Sequence, residues 1–329
     1  MTPGDAEIAR ERPTSAERTG VSVVIATYNG AARVPDVLAA LAAQTAPDGS
    51  FEVIVVDNNS TDGTAAAVEN DPATAALRMR GVEVRVVAEK KQGLTHARIK
   101  GICEASRELA CFLDDDNLPN HDFIELGQIA FEDLTIGLVV SRVFPSWETT
   151  PSHAIMRRQS LFAVNSYLGG AAQEFDMHSP IAPIIGAGLW VRREAFLKAI
   201  PWRTPELLLS DRSGDRLISG GDIEIGILIG RAGYRRIYDP GLCLAHRIPA
   251  SRLETRYMRR LIQGIVRSEL TLKEKYLGER VSLRGRLAFV AQLLAAPLVG
   301  LWRRDVKRET AFIAAAAIAR LKGPFRISK

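Results

Sequence analysis

Phe112-Leu113-Asp114-Asp115-Asp116-Asn117 closes the apolar run Leu109 to Leu113 with three consecutive carboxylates. Like charges repel, and an apolar strand gives them no reason to crowd at its end. A divalent cation supplies one, because hard oxygen ligands suit Mg²⁺ or Mn²⁺ and such ions keep positions open for substrate phosphates. A solvated acidic turn, or an Asp N-cap for the helix after Pro119, accounts for the triplet equally well.

Upstream, Val21–Ala26, Glu52–Val56 and Val82–Ala88 read as strands buried on both faces. They alternate with helical segments over Ala31–Gln44, from Thr64, and over Leu94–Ser106. This spacing predicts right-handed βαβ units and an α/β fold with a mostly parallel central sheet flanked by helices. Ligands of such sheets bind beyond the carboxyl ends of the strands. The polar groups collect there, at Thr27 to Asn29, Asp57 to Asp62 and Asp114 to Asn117.

Downstream the alternation weakens. Ile136–Val143 reads as a strand, and Phe144 to Pro180 as a long irregular stretch with room for a mobile segment over the site. Gly186-Ala187-Gly188 lets backbone approach a ligand, or equally marks a bulge or tight packing. A helix is expected over Ile223–Arg231 behind Gly220-Gly221-Asp222. Two strands follow, Arg235–Tyr238 and Leu242–His246, and then helices from Arg252 to the end.

With 329 residues, 47% of them hydrophobic and 25% charged, the chain has material for a large globular core plus an appendage. We divide it into a flexible tail (1–19), a main domain (20–250) and a basic, partly apolar helical extension (251–329). Three cysteines with no Cys-x-x-Cys pair argue against a disulfide framework or a cysteine zinc site, and suit a reducing compartment. The first twenty residues lack the apolar stretch of a secretory signal.

Four segments taken in order carry a more specific message: Val21-Ser-Val-Val-Ile-Ala-Thr-Tyr-Asn-Gly30, Val55-Val-Asp-Asn-Asn-Ser-Thr-Asp-Gly-Thr64, Phe112 to Asn117, and Ser219-Gly-Gly-Asp222 with Glu224. Together they resemble the family 2 glycosyltransferases, inverting enzymes of the GT-A fold, over about residues 20 to 250. The resemblance implies that Thr27, Tyr28, Asn29 and Asp57 hold the base and ribose of a nucleotide sugar. Asp114-x-Asp116 matches the DxD motif, with Asp116 the main ligand of Mn²⁺ or Mg²⁺, Asp114 on the ribose or a metal-bound water, and Asp115 in support. Asp222 falls where the family keeps its catalytic base, although a helix N-cap role also suits it. His246 matches a downstream metal-proximal histidine, and is equally readable as a packed, hydrogen-bonded one. Arg98 would face the nucleotide.

Two departures stand out: Ile99 where members often have Asn after Ala-Arg, and Gly221 where they often have Glu before the base. Asp211-Arg212-x-Gly214 is readable as acceptor environment or as an ordinary turn. The implied activity is metal-dependent transfer from a nucleotide-diphosphate sugar, UDP favoured, to a hydroxyl of a glycan, glycolipid or polysaccharide precursor. The rival is a catalytically weak GT-A-like domain serving as a membrane-associated assembly partner. A haloacid-dehalogenase phosphatase needs Thr at 118, which is Leu, and a nicotinamide dehydrogenase needs more glycines than Gly30.

Residues 251–329 hold 18 Lys+Arg against 6 Asp+Glu, leaving 25 against 32 for the rest. Such asymmetry points to an anionic partner. Leu287–Trp302 is apolar apart from Gln292, and Ala311–Ala319 is apolar and alanine-rich. Basic residues border both. Sixteen residues fall short of the ~20 that span a bilayer, so the expectation is a cytoplasmic protein lying on the inner membrane face. A helical hairpin packed on the main domain or between subunits is the alternative. Nucleic acid is not expected, given the apolar stretches between the charges.

Overall fold

The computed structural model describes residues 20–176, 183–209, 217–280, part of 282–296 and 306–324. The 1–19 tail, Asp211 to Gly214, Pro180 and most of Leu287–Trp302 lie outside the described residues.

The first half of the chain follows the expected alternation. In order come β1 (Val21–Thr27), α1 (Val34–Ala42), β2 (Phe51–Asp57), α2 (Thr64–Glu69), α3 (Pro72–Met79), β3 (Glu83–Ala88), α4 (Leu94–Glu104) and β4 (Leu109–Asp114). These strands pair in parallel in the order β3-β2-β1-β4. Every residue of β1 is buried, and its pleat explains why. Val23 and Ile25 enter one core layer with Val34, Val37, Leu38 and Leu41 of α1, whereas Val24 and Ala26 enter the opposite layer with Ala97 and Ile102 of α4. The α1 positions repeat at i, i+3, i+4 and i+7, the spacing of one helical face.

The second half is mixed. It comprises β5 (Asn117–Pro119), α5 (Phe123–Ala130), β6 (Ile136–Trp147), α6 (His153–Met156), β7 (Gln173–Glu174), β8 (Leu189–Arg192), α7 (Arg193–Ala199), α8 (Gly221–Arg231), β9 (Arg235–Ile248), α9 (Thr255–Leu277) and α10 (Val306–Lys322). β8 inserts antiparallel between β4 and β6, and β9 continues the sheet parallel to β6. The two strands expected at 235–238 and 242–246 are one strand. Its ladder to β6 jumps from Ser141↔Asp239 to Arg142↔Cys243, so the Pro240-Gly241 break is absorbed as a bulge. β5 runs antiparallel to β9 in the register Asn117↔His246, which sets the acidic triplet beside the histidine.

Helix α5 has Asp122 at its N-cap position, so the triplet does not cap that helix. The irregular stretch is more ordered than its sequence suggests. β6 runs on to Trp147, and Ala154, Ile155, Phe162 and Val164 form a third core with Met258 and Leu261 of α9 and Phe312 and Ala315 of α10.

Helices α9 and α10 of the extension are therefore packed onto the domain. Glu309 of α10 is buried, paired with Arg157 and at 2.7 Å with Arg158. Glu224 of α8 is buried too, and its carboxylate accepts from Leu209 N (2.5 Å), Lys275 Nζ (2.6 Å) and Tyr276 Oη (2.7 Å). A Cβ on Gly264 of α9 would overlap the Leu217 carbonyl, so glycine lets α9 lie directly on the backbone leading to α8.

Candidate functional site

A cavity of about 310 Å³ opens at the carboxyl ends of β1 and β4, between α4 and the start of α8. Its first wall is the β1–α1 turn. Thr27 Oγ1 donates to Asp115 Oδ2 at 2.5 Å, and Arg33 closes on the same carboxylate through Nε (3.0 Å) and Nη2 (2.8 Å). A Cβ on Gly30 would overlap the Thr27 hydroxyl, which explains the glycine. Burial pushes the Asp115 carboxyl above its ordinary range, opposed by the Arg33 and Thr27 hydrogen bonds. Asp115 thus ties β4 to the turn.

Tyr28 stands at the rim, 43% exposed. Asn29, at φ 50°, accepts from Thr61 N and donates its own N–H to Ser60 Oγ. Asp57 Oδ1 accepts from Ser60 N. Both residues shape adjoining turns and lie off the cavity lining. Asn58 lines it instead. Its side chain donates to the Glu89 and Lys91 carbonyls and accepts from Gly93 N, pinning the loop before α4.

The far wall holds Asp222, in the first turn of α8. Gly220 takes the N-cap position that the sequence also offered to Asp222. A carboxylate here faces the positive end of the helix dipole. Asp222 Oδ1 accepts from Ile223 N at 2.8 Å. Burial raises its pKa, while the Arg98 charge and the Ile223 and Gly186 N–H groups oppose that rise and Asp114 adds to it.

Arg98 is buried, with Nη2 3.4 Å from Asp114 Oδ1 and its guanidinium 5.7 Å from the Phe112 ring centre. A Cβ on Gly186 would overlap that guanidinium, which gives the Gly186-Ala187-Gly188 run a reason. Arg98 thus serves the two acids Asp114 and Asp222. Ile99 points into the core.

Between these walls lie Asp116 and His246. His246 Nδ1 lies 2.8 Å from the Phe162 carbonyl and must donate to it, which assigns the tautomer and leaves the Nε2 lone pair facing inward. Nε2 is 3.4 Å from Asp116 Oδ2. The guanidinium of Arg252 meets both, with Nη2 2.9 Å from Asp116 Oδ2 and Nη1 3.1 Å from His246 Nε2. A carboxylate and an imidazole lone pair therefore converge on one cationic position, a mixed oxygen and nitrogen donor pair that fits Mn²⁺ better than the oxygen-preferring Mg²⁺. Among the described residues no cluster of three or more His, Cys, Asp or Glu is gathered for a metal. Diphosphate oxygens and water would have to complete the shell.

Of the residues singled out from sequence, Thr27, Tyr28, Arg98, Asp114, Asp115, Asp116, Asp222 and His246 line one cavity, and Asn29 and Asp57 do not. Sequence reasoning missed Arg33, Asn58 and Arg252. The charge of Arg252 had been counted into the basic tail, although it stands only six residues after His246.

Residues 22–199 match the profile of Glycosyl transferase family 2. The glycosyltransferase AglE of Haloferax volcanii is 34% identical over 123 residues, 37% of this chain and 39% of the relative. The pre-mycofactocin glycosyltransferase of Mycobacterium tuberculosis is 26% identical over 246 residues, 74% of this chain and 46% of the relative. The chain thus spans less than half the length of either curated relative. Among solved structures, the mannosyltransferase PcManGT of Pyrobaculum calidifontis, in complex with GDP-Man and Mn²⁺, superposes with TM-score 0.62 at 21% identity, covering 94% of this chain and 88% of that one. TarS of Staphylococcus aureus gives 0.52 at 15%, covering 90% and 55%. At these identities the likeness concerns the fold, which is that of the GT-A glycosyltransferases.

Proposed function

The chain belongs to glycosyl transferase family 2, and from that premise we propose that it moves a sugar from a nucleotide-diphosphate donor to an acceptor hydroxyl with inversion. The observation that carries the reading is one cavity with two chemically distinct ends. At one end Asp222 is aimed inward beside Arg98. At the other, Asp116 and the His246 lone pair converge on a cationic position.

Asp222 takes the proton of the acceptor hydroxyl as that oxygen attacks the anomeric carbon from the face away from the diphosphate. A base needs to be ionised and within hydrogen-bond reach. Arg98 favours the ionised form, and the Gly186 and Ile223 N–H groups hold its orientation. Tyr28 and the loop pinned by Asn58 border the nucleoside end. Mn²⁺ or Mg²⁺ bound at Asp116 and His246 would neutralise charge on the departing diphosphate. A uridine nucleotide is our preferred donor and a glycan, glycolipid or polysaccharide precursor our preferred acceptor. The complexes of PcManGT with GDP-Man and Mn²⁺ and of TarS with UDP-GlcNAc support a nucleotide-sugar donor without choosing its base.

No helix among the described residues is long and apolar enough to cross a membrane. Leu287 (62% exposed), Val290 (40%) and Leu294 (76%) are exposed apolar side chains whose sequence positions, i, i+3 and i+7, have the spacing of one helical face. With the basic residues around it in sequence, that face suits the surface of an anionic membrane. We therefore propose attachment to the cytoplasmic face, near a lipid-linked acceptor.

The test is a panel of nucleotide sugars assayed for hydrolysis with Mn²⁺ or Mg²⁺. Native protein should bind and hydrolyse at least one, and Asp116→Ala should lose the metal-dependent binding. No binding and no hydrolysis across the panel would overturn the reading.

A further inference from the structure

We propose that Arg252 is a built-in stand-in cation. It holds Asp116 and His246 in the unloaded protein and must be displaced before a divalent ion enters, so that metal and nucleotide diphosphate load together. The inference rests on reading Asp116 and His246 as metal ligands, and adds what this chain does when neither metal nor donor is bound.

The geometry carries it. Two parallel requirements define a metal position here, a carboxylate oxygen and an imidazole lone pair aimed at one point, and a guanidinium answers both. Arg252 Nη2 donates to Asp116 Oδ2 at 2.9 Å, and Nη1 donates to His246 Nε2 at 3.1 Å. The tautomer leaves no other assignment, since Nδ1 is committed to the Phe162 carbonyl. The planar fork of arginine suits this two-point recognition and a lysine does not. A metal ion seeking the same lone pairs meets an existing charge-assisted contact, which is among the stronger hydrogen bonds.

The exit is also present. On the other side of Asp115 and Asp116 lies a second cavity of about 580 Å³, whose lining includes Arg252 itself, Trp147 and Arg247. The Arg252 backbone is fixed by its own N–H to Pro249 O at 3.0 Å, in the turn Ala250–Leu253 that leads into α9. Rotation about side-chain torsions alone therefore carries the guanidinium toward that space. Displacement costs Arg252 its Asp116 partner; Asp36 and Glu148 line the second cavity, and a diphosphate in the first, whose lining also includes Arg252, offers a further anionic partner. Metal and diphosphate thereby help each other, and such coupling is reciprocal by linkage.

The experiment titrates Mn²⁺ into the full chain, without and with UDP, reading free aqueous Mn²⁺ by electron paramagnetic resonance. Native protein should bind Mn²⁺ weakly alone and more tightly with UDP. Arg252→Gln should bind Mn²⁺ alone on the order of tenfold more tightly, and the tightening caused by UDP should shrink by the same factor. Arg247→Gln lines the same second cavity and removes the same charge while leaving the Asp116 contact intact, and should behave as native. If Arg252→Gln fails to fold, Arg252→Lys keeps the charge without the fork and should move in the same direction by a smaller factor. Equal Mn²⁺ affinity in the Arg252 variants and native protein overturns the inference and leaves the metal site standing. Equal tightening in Arg247→Gln overturns it in favour of a general charge effect. No Mn²⁺ binding by any form, even with UDP, overturns the metal site and the inference with it.

Discussion

Replacing Glu224 by Ala tests how the extension holds the helix that carries Asp222. The Glu224 side chain is 1% exposed and accepts three hydrogen bonds, from Leu209 N, Lys275 Nζ and Tyr276 Oη. Truncation leaves a backbone donor, a phenol and an ammonium without that acceptor, and an unsatisfied buried group costs about 1–3 kcal/mol. Lys275 is 29% exposed and also donates to Leu207 O at 2.6 Å, so its share is discounted. The sum falls at about 3–5 kcal/mol, the range for breaking one side of a buried ion pair. In a chain of this size that lowers the melting temperature by roughly 4–7 °C. Scanning calorimetry of the native protein, Glu224→Ala, Lys275→Met and the double variant gives both the loss and the coupling energy. A Glu224→Ala protein melting within about 1 °C of native refutes the assignment of this carboxylate as the clamp between α8 and α9.

Asp222→Asn should keep UDP affinity, measured by calorimetry, and lose transfer by at least about a hundredfold, the low end for a general base. Because burial raises the Asp222 pKa in the free protein, the acidic limb of kcat/KM should lie above the range of an ordinary carboxylate, and kcat/KM should rise as pH climbs through it. Glu309 is a carboxylate whose pKa falls to about 2 from 4.5, since hydrogen bonds and charge from Arg158 and Arg157 outweigh the burial that would raise it. Its stabilisation is complete above pH 4.5 and lost as pH falls toward 2. Amides of α10 should therefore exchange faster relative to those of β1 at pH 3 than at pH 5, and Glu309→Gln should remove that difference. Gly264→Ala should push α9 off the Leu217 backbone, lowering stability and disturbing Ile218 and Ser219 of the cavity wall, readable as a weaker nucleotide affinity.

The parallel half of the sheet was legible because its strands are β-branched runs buried on both faces, a local pattern that needs no partner to be recognised. β8 and β9 were harder. β8 is four residues long and defined by its antiparallel neighbours, and β9 contains Pro240-Gly241, which reads as a stop until the bulge against β6 is known. Asp114, Asp115, Asp116 and Asp222 are readable from their motifs, and they line one cavity. The resemblance implies that Asn29 and Asp57 hold the nucleotide; in the structure they hydrogen-bond the turn at Ser60 and Thr61 and lie beside the cavity lining, not in it. Arg33, Asn58 and Arg252 escaped notice because each acts through partners distant in sequence. Asp116 and Arg252 stand 136 positions apart.

The pairing of β5 with β9 limits how this chain can vary. Side chains alternate across a strand, so one residue inserted or removed between Asn117 and Pro119, or between Leu244 and His246, would turn the imidazole to the opposite face. Two residues would keep the face but carry it about 7 Å along the strand, out of reach of Asp116. Length changes should therefore survive only beyond this short ladder, in segments such as 149–151, the mostly exposed turn between β6 and α6.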